Sequence, residues 1–206
     1  MALSKIQPAS MDLTDNYAFT GTNSITSASS GTYEQKKLAT LTASSSSTLS
    51  FTSSIDSTYN IYKFRFIEIH PSHNSNVDFG FQGSTNTGSS YGVTLTSTFF
   101  DAYHYENDAS AAVRYLTSRD LAQSTSFQPL SVNTAEADAD QHVSGELFLF
   151  DPSSTTFVKH FISTTQTASD GGSDDFSDNA YIAGYFNTTS AIDAIQFKFP
   201  SGNIDS

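Results

Sequence analysis

The chain has 206 residues, no cysteine, and nine basic against 21 acidic side chains, a net charge of −12. Disulfides and thiolate metal sites are thereby excluded. No stretch approaches the roughly 18 apolar residues of a membrane-spanning helix, and an acidic surface repels phosphate backbones, so neither membrane insertion nor a nucleic-acid partner is expected. The acidity is uneven: residues 1–100 carry a net −1 and residues 101–206 a net −11.

Only 15% of the residues are charged, while 13% are aromatic, almost all Phe and Tyr. Ser, Thr and Asn fill the polar positions. Thr, Tyr and Phe suit a pleated, half-buried surface, and Ser and Asn suit turns. The composition is that of an all-β protein, and the length that of one domain or one domain plus an arm.

Residues 1–23 read as an extended N-terminal attachment arm. They lack the basic, apolar and small-residue succession of a signal peptide. Residues 24–206 read as a single β-sandwich. Ser24–Thr32 is a Ser/Thr-rich loop. Lys36–Thr42 and Thr48–Thr52 are expected as short strands around a serine run, with Leu49 and Phe51 on one face of the second. Asn60–His70 is the strongest strand. Tyr62, Phe64 and Phe66 share one face and Lys63 and Arg65 the other, yet Ile67 and Ile69 continue on the Lys/Arg side. A bulge or sharp twist near Phe66–Ile67 resolves that conflict, as does burial of both faces at the far end.

Val77–Gln82 alternates, with Val77, Phe79 and Phe81 inward and Asp78, Gly80 and Gln82 outward. After a turn-rich loop over 83–90, Tyr91–Thr96 and Thr98–Tyr105 are expected as strands. Asp108–Gln123 is the only stretch compatible with a helix, with Asp108 as N-cap and Val113 and Leu116 facing the core. Gly145–Phe150 is nearly continuous in apolar residues and reads as buried on both faces. Phe157–Thr165, Tyr181–Phe186 and Ile192–Phe199 complete the series. Nine to eleven short strands joined by polar loops argue for an antiparallel sandwich, jelly-roll-like, with at most one short helix. There is no internal repeat, which excludes a solenoid or propeller.

The chemistry-bearing groups are sparse. Tyr103, His104, Tyr105, Glu106 and Asn107 combine aromatic faces with amide and carboxylate groups, the equipment that holds a sugar; the two tyrosines also suit packing within the sandwich. Two acidic loops, with Glu136, Asp138 and Asp140 in one and Asp170, Asp174 and Asp175 in the other, could hold a structural calcium; the alternative is solvated loops. No other cofactor is implied. His70 and His73, three apart at a strand exit, could chelate a metal if the turn converges their rings, but at such a position solvated side chains are the stronger reading. Glu68 and Glu146 are the carboxylates that a glycoside-cleaving reading would use. No Gly-x-Ser-x-Gly elbow and no phosphate-binding Gly-rich loop is present, so an enzyme is not expected.

The opening MALSKIQPAS…YAFTGT resembles the leaders of bacteriophage tail-fibre and virion structural proteins. YNIYKFRFIEIHPS (Tyr59–Ser72), TSTFFDAYHYENDA (Thr96–Ala109), RDLAQSTSFQPL (Arg119–Leu130), SGELFLFDPSSTTFVKHFISTT (Ser144–Thr165) and AGYFNTTSAIDAIQFKF (Ala183–Phe199) resemble a family of marine, cyanophage- and pelagiphage-like virion proteins. The resemblance covers most of the chain. It implies a non-enzymatic virion component assembled in the host cytoplasm among other virion proteins, and carries over no catalytic residue. The expected role is a tail-fibre or receptor-binding module presenting loops to a host-surface glycan. The alternatives are a capsid decoration (cement) protein and, from another class, a phage polysaccharide depolymerase. Homotrimerisation is expected, since fibre tips and cement proteins of related systems sit at three-fold positions. Relatives continue beyond Ser201–Asp205 into a further short strand, so an open sheet edge at Ile192–Phe199 is also expected.

Overall fold

A computed structural model describes residues 35–73, 76–134, 141–169 and 174–205. The arm expected over residues 1–23 and the loop at Ser24–Thr32 lie outside the described residues. Leu38–Ser206 forms one compact unit.

The described residues form eleven strands and no helix: β1 (Leu49–Phe51), β2 (Ile61–Pro71), β3 (Gly80–Ser84), β4 (Leu95–Tyr105), β5 (Ala111–Tyr115), β6 (Gln128–Pro129), β7 (Val143–Phe150), β8 (Lys159–Ser169), β9 (Phe176–Phe186), β10 (Ala194–Lys198) and β11 (Ile204–Asp205). They build two sheets, a four-stranded one in the order β1-β10-β3-β6 and a seven-stranded one in the order β11-β2-β7-β8-β9-β4-β5. Every pairing is antiparallel. The all-β antiparallel sandwich read from the sequence is the fold. Jelly-roll connectivity is a finer statement that these pairings do not specify.

The sheets meet through phenylalanines that alternate along their strands. Phe79, Phe81 and Phe197 of the small sheet and its flanks face Phe66 and Phe161 of the large one, with ring centroids 5.3 Å (Phe66–Phe79), 5.1 Å (Phe66–Phe197) and 5.0 Å (Phe81–Phe161) apart. Edge-to-face geometry lets the positive ring edge meet a neighbouring π-face. The phase conflict in β2 is resolved by a bulge. Phe66 pairs with Gly145 and Ile69 with Val143, so three steps on β2 match two on β7. Glu68 takes a φ of 52° there and donates its N–H to Ser144 Oγ at 3.1 Å. The extra residue moves Ile69 and Pro71 to the inner face after Tyr62, Phe64 and Phe66, and leaves Ile67 67% exposed.

Several expectations are corrected. The helix over Asp108–Gln123 does not form. Asp108 has a φ of 61° in the β4–β5 turn, and Ala111–Tyr115 pairs with β4. Val113 and Leu116 imitate a helical spacing, but Val113 is 74% exposed. Lys36–Thr42 is exposed chain without strand pairing, because Leu38 and Leu41 are three apart and cannot share a strand face. The strand expected at Tyr91 begins only at Leu95. β7 is buried on one face; Phe148 and Phe150 on the other are partly exposed. Ile192–Phe199 is not an open edge, since β10 lies between β1 and β3, and Ile204–Asp205 pairs with β2.

Gln82, expected outward, is fully buried, and its position shows how the rest of the sandwich is closed. The small sheet is too narrow to cover all seven strands. The segment 116–134, which includes β6 of the small sheet, extends that cover over β8 and β4. A covering loop brings backbone groups that need partners, and the strands beneath it supply hydroxyls and amides. Thr165 Oγ1 donates to Leu130 O, Ser169 Oγ to Val132 O, and Gln82 Nε2 to Thr125 O and Ser126 O. Leu121 N donates to Ser97 Oγ at 3.0 Å and Phe99 N to Asp120 Oδ1 at 2.7 Å.

Candidate functional site

The residues expected to hold a sugar stand at one end of β4 and in the turn after it. Asp108 N donates to Tyr105 O at 3.1 Å, Tyr105 N to Ser110 O at 2.9 Å, and Ala109 N to Asn107 Oδ1 at 2.9 Å. A further hydrogen bond, Glu106 N to Asp175 O at 3.0 Å, ties this turn to the chain entering β9. The two tyrosines are engaged in the fold. Tyr103 and Tyr105 meet edge to face at 5.8 Å, both rings contact Phe176, and the Arg114 guanidinium lies 4.1 Å from the Tyr103 centroid. Their π-faces are therefore largely spent. His104, Glu106 and Asn107 are exposed, and His104 Nε2 lies 3.1 Å from Asp108 Oδ1.

Beneath the tip lies a group that sequence reading missed. Asp101 and Asp178 project inward from neighbouring strands, both fully buried. Arg114 donates Nε to Asp101 Oδ1 at 3.0 Å, Nη2 to Asp101 Oδ2 at 2.5 Å, and Nη2 to Asp178 Oδ2 at 3.2 Å. One guanidinium cannot compensate two desolvated carboxylates. Burial first, and the Asp101 carboxylate second, push the Asp178 carboxyl up to about 8 against the pull of Arg114. The hydrogen-bonded Asp101 raises Arg114 in turn. The arrangement holds a proton near neutrality and clamps β5, β4 and β9 together. Asp101 stands in phase with Phe99 and Tyr103, and an acid on the apolar phase of a strand was the available signal.

The two acidic loops approach each other at their described flanks, where Gln141 Nε2 donates to Asp175 Oδ1 at 3.3 Å. Glu136, Asp138, Asp140 and Asp170 lie outside the described residues. Among the described residues no group of three His, Asp or Glu side chains is placed to hold a metal ion. Glu146 is held by Lys63 at 2.5 Å, while Glu68 stands at the bulge. Open clefts mark the surface of the described residues. The one of about 530 Å³ is lined by Asp78, Arg119, Phe127 and Lys198, among others. Its cations are engaged, Arg119 by Asp78 at 2.9 Å and Lys198 over the Phe127 ring at 4.4 Å. The one of about 370 Å³ is lined by polar residues around Tyr91 and Asn187.

Lys159 is another buried charge outside the sequence reading. Its Nζ donates to Phe157 O at 3.0 Å and Thr188 O at 3.2 Å, and burial lowers its pKa. It pins the start of β8 to the chain following β9.

Compared with protein-family models, with curated proteins and with solved structures, the chain matches none.

Proposed function

We propose that the chain is a non-enzymatic structural and binding component of a bacteriophage particle, with the β4–β5 tip as its recognition end. The observation that carries this reading is the construction of the tip. Tyr103, Tyr105 and Phe176 form an aromatic block, and the Glu106–Asp175 hydrogen bond fixes the turn above it. Exposed His104, Glu106 and Asn107 stand on that support, so polar groups are presented with little freedom left to lose on binding. Carboxylate and amide groups held in this way suit the hydroxyls of a surface glycan. The tyrosines support the tip from below in this reading and do not stack on the sugar.

A second reading, a decoration protein lacing neighbouring units of a head, is favoured by the partly apolar outer face of the large sheet, which nothing covers among the described residues. Copy number separates the two. Quantitative mass spectrometry of purified particles should find this chain at the low copy number of a tail component; an abundance comparable to the major head protein would select the second reading. In a host-cell binding assay, Glu106→Ala with Asn107→Ala should abolish retention of the purified protein without changing its melting temperature. Unchanged retention would remove the tip from the proposal.

A further inference from the structure

The inner face of the seven-stranded sheet is covered by the small sheet and by segment 116–134. Among the described residues nothing covers the outer face. Register places its outward side chains in rows that cross the sheet: Lys63–Phe148–Ile162–Ala183–Thr98, and next to it Arg65–Glu146–Thr164–Tyr181–Phe100–Tyr115. Ile162 is 50% exposed, Phe100 43%, Tyr181 40% and Val113 74%. Phe100 and Tyr181 stack at 5.0 Å with their planes 8° apart, which presents one flat aromatic surface across β4 and β9. Isolated exposed apolar residues are ordinary, whereas a contiguous patch of this kind marks a contact surface.

We infer that this outer face is where a second copy of the chain docks, face to face. Two observations select that occupant. The first is area. Six strands, β2 to β5, at about 4.8 Å spacing and four rows of outward residues at about 6.8 Å give a face of about 800 Å². A stable complex of standard size needs about 800 Å² from each partner. The second is charge. The whole chain carries −12, so copies repel over most of their surface. On this face Lys63 and Arg65 balance Glu146 and the bulge residue Glu68, and the two buried acids of the sheet, Asp101 and Asp178, point to its other side. The outer face is thus the neutral, apolar part of an acidic molecule, where two copies can approach. Two such sheets would stack at about 10 Å, as sheets do within a sandwich, and a two-fold axis would make the contact self-complementary.

This inference does not rest on the phage reading. Its test is the mass of the full chain in solution, by light scattering and sedimentation over a concentration series. The wild type should run at twice 22.2 kDa. Ile162→Glu, at the centre of the face, and Val113→Glu, on the outermost strand, should each give the monomer with an unchanged far-ultraviolet circular dichroism spectrum. The second site stays informative should the first variant fail to fold. A dimer mass retained by both variants overturns the inference, and a mass of three copies overturns the face-to-face pairing. A monomeric wild type overturns it as well. If that monomer associates once residues 1–34 are removed, those residues are the occupant; if it stays monomeric, the occupant is a different protein.

Discussion

The two halves of the sandwich interior are closed by different means. Under the small sheet, side chain meets side chain, and the filling is phenylalanine: Phe64, Phe66, Phe79, Phe81, Phe161 and Phe197. Under segment 116–134 the filling turns polar: the buried hydroxyls of Ser97, Thr165 and Ser169 meet backbone groups of the segment, and Asp101 and Asp178 are buried around Arg114. The same strands pass through both regions. β8 presents Phe161 to the first and Thr165 to the second. What differs is the cover, and a cover rich in orphan N–H and C=O groups calls for hydroxyls beneath it. One half stabilises the fold through area removed from water; the other fixes geometry by hydrogen bonds whose net worth is small and whose loss is costly.

The largest effects should separate the halves by chemistry. Phe197 contacts five other aromatic rings. Phe197→Ala should cost about 3–5 kcal/mol, read as the free energy of urea unfolding. In the polar half, Arg114→Ala should cost about 3 kcal/mol, because it strands two buried carboxyls. The distinguishing outcome is repair. Adding Asp178→Asn to Arg114→Ala should recover part of the loss, whereas no second single change should restore the hole left by Phe197. If the Arg114→Ala loss is unaffected by Asp178→Asn, the carboxyl pair is not what Arg114 compensates.

A smaller effect tests the same region through pH. An unfolded Asp titrates near 3.9, while the folded Asp178 is pushed up to about 8. Between those values the folded state binds the extra proton, so this group makes stability fall as pH rises from about 4 to about 8, and level off above. Asp178→Asn should flatten that slope and gain stability most clearly at pH 8–9, measured by urea unfolding across the range. An identical slope in wild type and variant would place the titration elsewhere.

These contrasts also explain what could be read from the sequence. Tyr62-x-Phe64-x-Phe66 and Ile195-x-Phe197-x-Phe199 announce their strands because their inner face is apolar, and even the bulge in β2 was visible as a broken phase. Thr165, Thr167 and Ser169 also alternate inward, but inward hydroxyls look like solvent-facing ones, so β8 reads as ending at Thr165 when it runs to Ser169. Gln82 reads as solvent-facing for the same reason, though it is fully buried. At the candidate site, the cluster Tyr103–Asn107 is legible because its residues are adjacent in sequence, and of these His104, Glu106 and Asn107 are exposed while Tyr103 and Tyr105 pack in the fold. The Asp101–Arg114–Asp178 clamp was not, because Asp178 joins it only through the β4–β9 register, Tyr103 opposite Asp178.

The smallest effect belongs outside the sandwich and completes the comparison. Lys63 and Glu146 form an ion pair at 2.5 Å on the outer face, a distance as short as that between Arg114 Nη2 and Asp101 Oδ2 within. Distance alone would make the two pairs equal. Lys63 and Glu146 are both partly exposed, however, whereas the Asp101 side chain is fully buried. Water therefore screens the outer pair and re-solvates whichever partner is left behind. Lys63→Ala should cost below about 1 kcal/mol, including its contact with the Phe148 ring, and added salt should shrink that cost further. Unfolding at protein concentrations low enough to keep the chain monomeric, with and without salt, gives the measurement. A loss matching that of Arg114→Ala would mean that the outer face is as dry as the interior, and the division between covered and uncovered faces would fail.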